Sequence, residues 1–309
     1  MTNEVIQLDH IALHVTNLER SIRFYQDILH MQVCSQVNLG TLSPGGRLVG
    51  RAVSGGQGLL KGLIGGLSSR AIRDQYTDIA LLSTNGRNMD ILLVEERYPD
   101  TNESKSVHGE TIFGFSCTLA PSVNTEILGW DLHQAGATFV YGNPGLDGTI
   151  FSQDCPLHSI YVQEPDGRMI ELKPGQGEEC PDSFIQTLDS ITLHVTYPDK
   201  SKLFYTEELD LIIDSDSQST IPGKRFIWLK DKSGNKYILL FGRIMPNGNP
   251  GIAGGFGLDH FALTGCTCHG EKSSPVTDIR MDADRFHEKT QSTYTHDVDG
   301  HWIECFEKN

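Results

Sequence analysis

Eighteen residues near the start of the chain, Leu8 to Tyr25, return 180 positions later as Leu188 to Tyr205, with ten positions identical. Such a repeat constrains the fold more than composition does, because both copies must adopt one local structure. Each copy alternates apolar and polar residues over a strand length, passes a short turn and continues as an amphipathic stretch ending in Phe-Tyr. The pattern predicts a β-strand followed by a helix in both places. Where the first copy has Asp9-His10 the second has Asp189-Ser190, and a third fragment carries Asp259-His260. The imidazoles kept at one position of a repeat mark where chemistry was kept.

Two segments close the repeated units. Residues 160–174 and 293–306 each run strand, acidic-Gly turn, strand, and each places a glutamate four residues after the turn glycine: Glu171 after Gly167, Glu304 after Gly300. An Asp-Gly between alternating runs predicts a hairpin, with the glutamate on its second strand. Residues 77–95 and 225–241 read as a further pair of strand-turn-strand units, and 112–118 then 124–136 as strand and helix. The chain is therefore expected to be α+β, with four βαβββ modules starting near residues 8, 111, 188 and 258. The helix signal of the last module, between Thr264 and Val276, is weak. The repeat offset predicts two domains, 1–175 and 188–309, joined by a polar, Gly- and Pro-containing linker over 176–187.

A formal charge of −15 with no basic run argues against a nucleic-acid partner, whose phosphates need clustered cations. No apolar run reaches membrane-spanning length, and the N-terminus lacks the regions of a signal peptide, so the expected location is the cytoplasm. Seven cysteines in a chain this long do not read as a disulfide framework and are expected to be reduced. Cys266, Cys268 and His269 lack a second ligand pair at zinc spacing and read as a solvent loop. The partner is expected to be a small molecule.

The phrases DHIALHVTNLERSIRFYQDIL, PDGRMIEL and VDGHWIEC resemble the vicinal oxygen chelate superfamily, which includes glyoxalase I, fosfomycin-resistance proteins and extradiol ring-cleaving dioxygenases. The resemblance spans essentially the whole chain. It implies two domains of that fold, each with a cleft made by two paired modules, and metal ligands from the first strand (the histidine of DHIAL) and last strand (the glutamate of IEL) of a module. Carried over position by position, the first module offers His10 and Asp90, the second Ile112 or Phe113 with Glu171, the third Ser190 and Tyr237, the fourth His260 and Glu304. Neither half supplies two histidines and a carboxylate by itself. Pairing the first module with the fourth does, through His10, His260 and Glu304, a layout similar to the hydroquinone ring-cleaving dioxygenases of the superfamily. Two histidines and one carboxylate with open positions suit non-haem Fe(II). Mn²⁺, Zn²⁺ or Ni²⁺ would suit a glyoxalase-like isomerase, in which Asp90 could add a fourth ligand.

Strand parity puts His10, Ala12 and His14 on one face and Ile11, Leu13 and Val15 on the other. The same parity groups Trp302, Glu304 and Phe306, which with His14 and His194 make an expected substrate pocket suited to an aromatic ring. Tyr294 lies ten residues before Glu304, the spacing of the pocket tyrosine in extradiol dioxygenases, and His296 follows on the same face. Both are acid/base candidates. A lone histidine on a strand is usually a core or surface residue; the recurring Asp-His phrase separates His10 and His260 from that background. Glu171, with no histidines to join it, reads as a carboxylate paired with a basic group. The expected activity is Fe(II)-dependent, extradiol-type cleavage of a hydroquinone or catechol with O₂. A metal-free aromatic-binding protein is the alternative from another class. The Gly- and Leu-rich insertion over 40–73 reads as an irregular insertion or subunit contact, which leaves a homo-oligomer open, or as a lid.

Overall fold

The computed structural model describes residues 6–38, 76–84, 90–96, 112–134, 137–139, 159–175, 184–218, 224–243, 260–265 and 292–306. The insertion over 40–73, the cysteine-histidine cluster at 266–269 and the last module's expected helix lie outside these residues. The first module contributes β1 (Gln7–Val15), α1 (Leu18–Arg23), β2 (Gln32–Asn38), β3 (Tyr76–Ser83) and β4 (Ile91–Glu96). The second contributes β5 (Ile112–Leu119), α2 (Thr125–Gln134), β6 (Thr138–Phe139), β7 (Ile160–Gln163) and β8 (Met169–Lys173). The third follows with β9 (Ile185–Val195), α3 (Pro198–Glu207), β10 (Ile212–Gln218), β11 (Lys224–Lys230) and β12 (Lys236–Arg243), and the fourth with β13 (His260–Thr264), β14 (Ser292–His296) and β15 (Trp302–Phe306).

Local chemistry explains the shared beginnings of the first and third modules. Asn17 caps α1, its side-chain oxygen accepting from the Arg20 amide at 2.9 Å, and Pro198 opens α3 with its φ already set. A wide turn of π geometry, Phe24–Ile28, extends α1. Both copies of the repeat leave the helix through a left-handed residue at the same repeat position, His30 with φ 55° and Asp210 with φ 58°. The hairpin glycines Gly167 and Gly300 have φ of 96° and 88°, a conformation that a side chain would strain.

The sheets regroup the modules. One sheet has seven strands in the order β14-β15-β13-β1-β4-β3-β2, and the other eight in the order β10-β11-β12-β9-β5-β8-β7-β6. The first and fourth modules thus share one sheet, and the second and third share the other. The division expected at 1–175 and 188–309 is a division along the chain that the sheets do not follow, because β1 finds its antiparallel partner in β13 and β9 finds its own in β5. The expected linker is also shorter than 176–187: Ile185, fully buried, already begins β9.

The outward faces of both sheets meet in one core. Ile11, Leu13, Phe261 and Ile303 of one sheet and Ile170, Ile191, Leu193 and Ile238 of the other belong to the same buried cluster, with Tyr25 and Tyr205 packed among them. Each such aliphatic side chain contributes about 1.5–3 kcal/mol by leaving water. Polar latches between the sheets lock this arrangement. Asp166, in the β7–β8 turn, accepts from the Thr16 amide at 3.1 Å, from Arg20 at 2.9 Å and from Ser21 at 3.2 Å. Asp299, in the β14–β15 turn, repeats this with the Thr196 amide at 2.9 Å and Ser201 at 3.0 Å. Each half of the chain is therefore tied to itself by a latch and to the other half by the sheets. Cys34 and Cys117 are free thiols, whereas Cys305 is disulfide-bonded, which departs from the expectation of reduced cysteines. No described helix is long and apolar enough to cross a membrane.

Candidate metal centre

On three adjacent strands the alternation splits core from cleft. Ile11, Leu13 and Val15 of β1, Phe261 and Leu263 of β13, and Ile303 and Cys305 of β15 enter the core. His10, His260 and Glu304 therefore point to the opposite, concave face. Register aligns them: His10 pairs with Ala262, Ala262 with Glu304, and His260 with both Ala12 and Trp302. His10 and Glu304 stand two strands apart with only the Ala262 methyl between them. Their side chains can lean together over that small residue.

They do so closely. The Nε2 atoms of His10 and His260 lie 3.5 and 3.6 Å from Glu304 Oε2, and the imidazole rings meet edge to face with centroids 5.5 Å apart. One donor atom from each of the three falls within 4.8 Å of the others, and all three residues are buried. Ligands bound at about 2.1 Å to one ion sit about 3.0 Å apart at a right angle and about 3.4 Å apart at the tetrahedral angle, so the cluster is sized for a single cation. Glu304 is fully buried, and a buried carboxylate calls for positive charge beside it. The donor set fits a divalent metal.

Burial pushes the His10 imidazole down, but the hydrogen bond to Asp9 and the negative charges of Glu304, Asp9 and Asp90 outweigh it and hold the group above its ordinary value. Asp90 is the next position in the row, its carbonyl accepting from the Ile11 amide at 3.1 Å. Its carboxylate points elsewhere: Oδ2 accepts from the Thr84 amide at 2.6 Å and the Thr84 hydroxyl at 3.0 Å. Burial raises the Asp90 carboxyl against the pull of those bonds. It stands outside the three-residue cluster.

The family model that describes the Glyoxalase/Bleomycin resistance protein/Dioxygenase superfamily matches residues 7–172, more than half of the chain. The chain belongs to this superfamily. Its members include metal-dependent glyoxalases and dioxygenases. The fold agrees with solved structures at low identity. A candidate dioxygenase from Bacillus subtilis subsp. subtilis strain 168 superposes with a TM-score of 0.54 at 14% identity, covering 99% of this chain and 86% of that one. Glyoxalase I from Zea mays does so with 0.52 at 14%, covering 98% and 92%. Comparison with curated protein sequences gives no match.

The superfamily's pairing of modules explains where the other expected residues fall. His14 shares the concave face with His10, and its carbonyl accepts from Arg168 at 2.7 Å. Trp302 lies beside His260 in register, and His296 packs on it edge to face at 5.4 Å while its Nδ1 meets the Asp297 carbonyl at 3.0 Å. His296 is two strands from His260, roughly 10 Å along the sheet. Tyr294 is the register partner of Glu304, and Phe306 that of Thr264. For these two only the backbone is described. His194 does not join the pocket expected around His10: it lies on β9, in the other sheet, opposite Phe241. Its identity with His14 reflects the repeat, and the two copies lie in different sheets.

The residue of the second module equivalent to His260 is expected from the sequence at Ile112 or Phe113. Register places Gly114 there instead, since Gly114 pairs with Thr192 as His260 pairs with Ala12. Sequence reasoning also overlooked the surroundings of Asp9, whose recurrence in both copies of the repeat was the available signal.

Proposed function

We propose that this chain is an Fe(II)-dependent, extradiol-type ring-cleaving dioxygenase acting on a small hydroquinone- or catechol-class compound with O₂. The observation that carries the reading is the convergence of His10, His260 and Glu304 from two ends of the chain onto one buried point. When bound there, a ferrous ion would supply open coordination positions and redox chemistry. His10 and His260 would each hold it through Nε2 and Glu304 through its carboxylate. With the Asp90 carboxylate committed to Thr84, the ligand count among the described residues is three, which favours open positions over the four-ligand layout of an isomerase.

The remaining roles belong to the cleft wall. Trp302 offers an aromatic surface one strand from His260, suited to a planar ring. Tyr294, paired with Glu304 across β14 and β15, is assigned the proton delivered to the substrate oxygen as the ring opens. His296, farther along the sheet, serves the substrate end of the cleft and not the metal.

Anaerobic purification, elemental analysis and reconstitution test the reading. The Fe(II) protein should consume O₂ with hydroquinone or catechol and form an absorbing ring-opened product, whereas the Zn²⁺ protein should be inert because zinc has no redox chemistry. Higher turnover of an α-oxoaldehyde adduct with Zn²⁺ or Ni²⁺ would replace the proposal with a glyoxalase-like isomerase. Tight aromatic binding without metal dependence would replace it with a sequestering protein.

A further inference from the structure

We infer that Asp9 is a positioning residue that fixes the tautomer and ring angle of His10; the inference rests on the metal reading above. Adjacent residues on a regular strand point to opposite faces, which would send Asp9 away from the cleft. The register of β1 against β13 shifts between Leu8 and His10, so that Asp9 sits in a bulge. Bulges re-aim side chains beside sites. Here the bulge turns Asp9 back toward its neighbour, and Asp9 Oδ2 stands 2.9 Å from His10 Nδ1.

A carboxylate only accepts, so Nδ1 carries the hydrogen and donates it to Asp9. In the neutral ring the lone pair is then on Nε2, the atom 3.5 Å from Glu304 Oε2. The opposite tautomer would present a hydrogen to the ion site and no donor. Burial of the His10 side chain, 3% exposed beside an Asp9 side chain at 28%, leaves the ring little freedom once that bond forms.

The third module supplies an internal control. Its strand shifts register at the same repeat position, between the Ser116 and Cys117 partners, where Asp189 is passed over. Asp189 has no histidine to hold, and it takes the hydroxyls of Thr118 and Thr187, each at 2.6 Å. The bulge is therefore a property of the backbone in both copies. Only in the first does it set an imidazole.

The test uses Zn²⁺ as a redox-silent probe, its affinity measured by competition with a chromophoric chelator, together with ¹⁵N NMR of the His10 ring in the metal-free protein. Asp9→Ala should weaken Zn²⁺ binding by about 10–100-fold, the usual effect of removing a ligand's outer partner. Asp9→Asn, which keeps an acceptor oxygen, should recover most of that loss, and Asp189→Ala should leave Zn²⁺ affinity at the wild-type level. The metal-free spectrum should show the hydrogen on Nδ1. Unchanged affinity in Asp9→Ala, or a neutral wild-type ring whose hydrogen is on Nε2 in spectra recorded at a pH high enough to deprotonate it, overturns the positioning role alone. Wild-type protein that takes up no Zn²⁺ overturns the metal reading and the positioning role together. The wild-type spectrum needs no variant, so the inference stays decidable even if Asp9→Ala fails to fold.

Discussion

The two sheets carry the same register frame and fill it with opposite chemistry. In the seven-stranded sheet one row reads His10, Ala262, Glu304, with His260 one step along; in the eight-stranded sheet the same row reads Ser190, Ser116, Glu171, with Gly114 one step along. Tyr161 faces Glu171 as Tyr294 faces Glu304. The glutamate survives in both, but the groups around the second one are hydroxyls and an ammonium. Ser116 and Ser190 share a hydrogen bond of 2.6 Å, Lys173 Nζ donates to Ser116 Oγ at 3.0 Å and lies 3.9 Å from Glu171, and the Tyr161 hydroxyl donates to Glu171 at 2.9 Å. Lys173 brings its own positive charge to a carboxylate whose counterpart faces imidazoles. The lesson is that one buried glutamate tolerates either a pair of imidazoles or a tethered ammonium beside it, and the neighbouring strand positions decide which.

The sharpest way to break this comparison is to exchange the fates of equivalent residues. His10→Ala should weaken metal binding by more than about 100-fold, beyond the loss of an outer partner, and abolish turnover. Ser190→Ala, at the same repeat position, should leave metal content at the wild-type level. Equal losses in the two variants, read by elemental analysis, would make the clefts one functional unit.

A smaller contrast separates the two tyrosines. Tyr294→Phe should retain metal and substrate affinity while lowering turnover by about 10²–10⁴-fold, the range of general acid–base catalysis. Tyr161→Phe should leave turnover unaltered, since its hydroxyl is engaged by Glu171 in the other sheet. Steady-state kinetics on both variants would show whether the phenols have diverged as the ligands have.

The mildest test concerns backbone spacing. A Cβ added at Gly114 would run into the Met169 carbonyl oxygen of the neighbouring strand. Gly114→Ala should therefore destabilise the fold by about 3 kcal/mol, at the upper end of overpacking costs, as read from urea unfolding. A variant of wild-type stability would mean that β5 and β8 can separate, and that the eight-stranded sheet could house a histidine where the other sheet has His260.

Much of this is legible in the amino-acid sequence, for identifiable reasons. The repeat, the Asp-Gly hairpins and the strand parity of His10, His260 and Glu304 depend on local periodicity, and the unequal ligand count pointed across the halves. What stayed hidden depends on contacts between strands distant in sequence. That Gly114, and not Ile112 or Phe113, holds the position equivalent to His260 follows from a register shift between Ile112 and Gly114. A basic partner for Glu171 was expected, but neither its identity as Lys173 nor the bond of Lys173 to Ser116, 57 residues away, could be read from the sequence. His194 was assigned to the wrong neighbourhood because a repeat conveys position within a module and not which sheet receives the module.

The cross-pairing of modules also orders events during synthesis. All strands of the eight-stranded sheet lie between residues 112 and 243, whereas the seven-stranded sheet needs both β1 and β15. At roughly 5–20 residues per second, the interval between the emergence of His10 and that of Glu304, 294 residues later, is about 15–60 s. Between the emergence of β4 and that of β13, β1 has β4 on one side and an unpaired edge on the other, the kind of edge that templates aggregation. β1 is thus made before every strand of the eight-stranded sheet and fully paired after all of them, and His10, His260 and Glu304 can meet only once the ribosome has read the codon for Glu304.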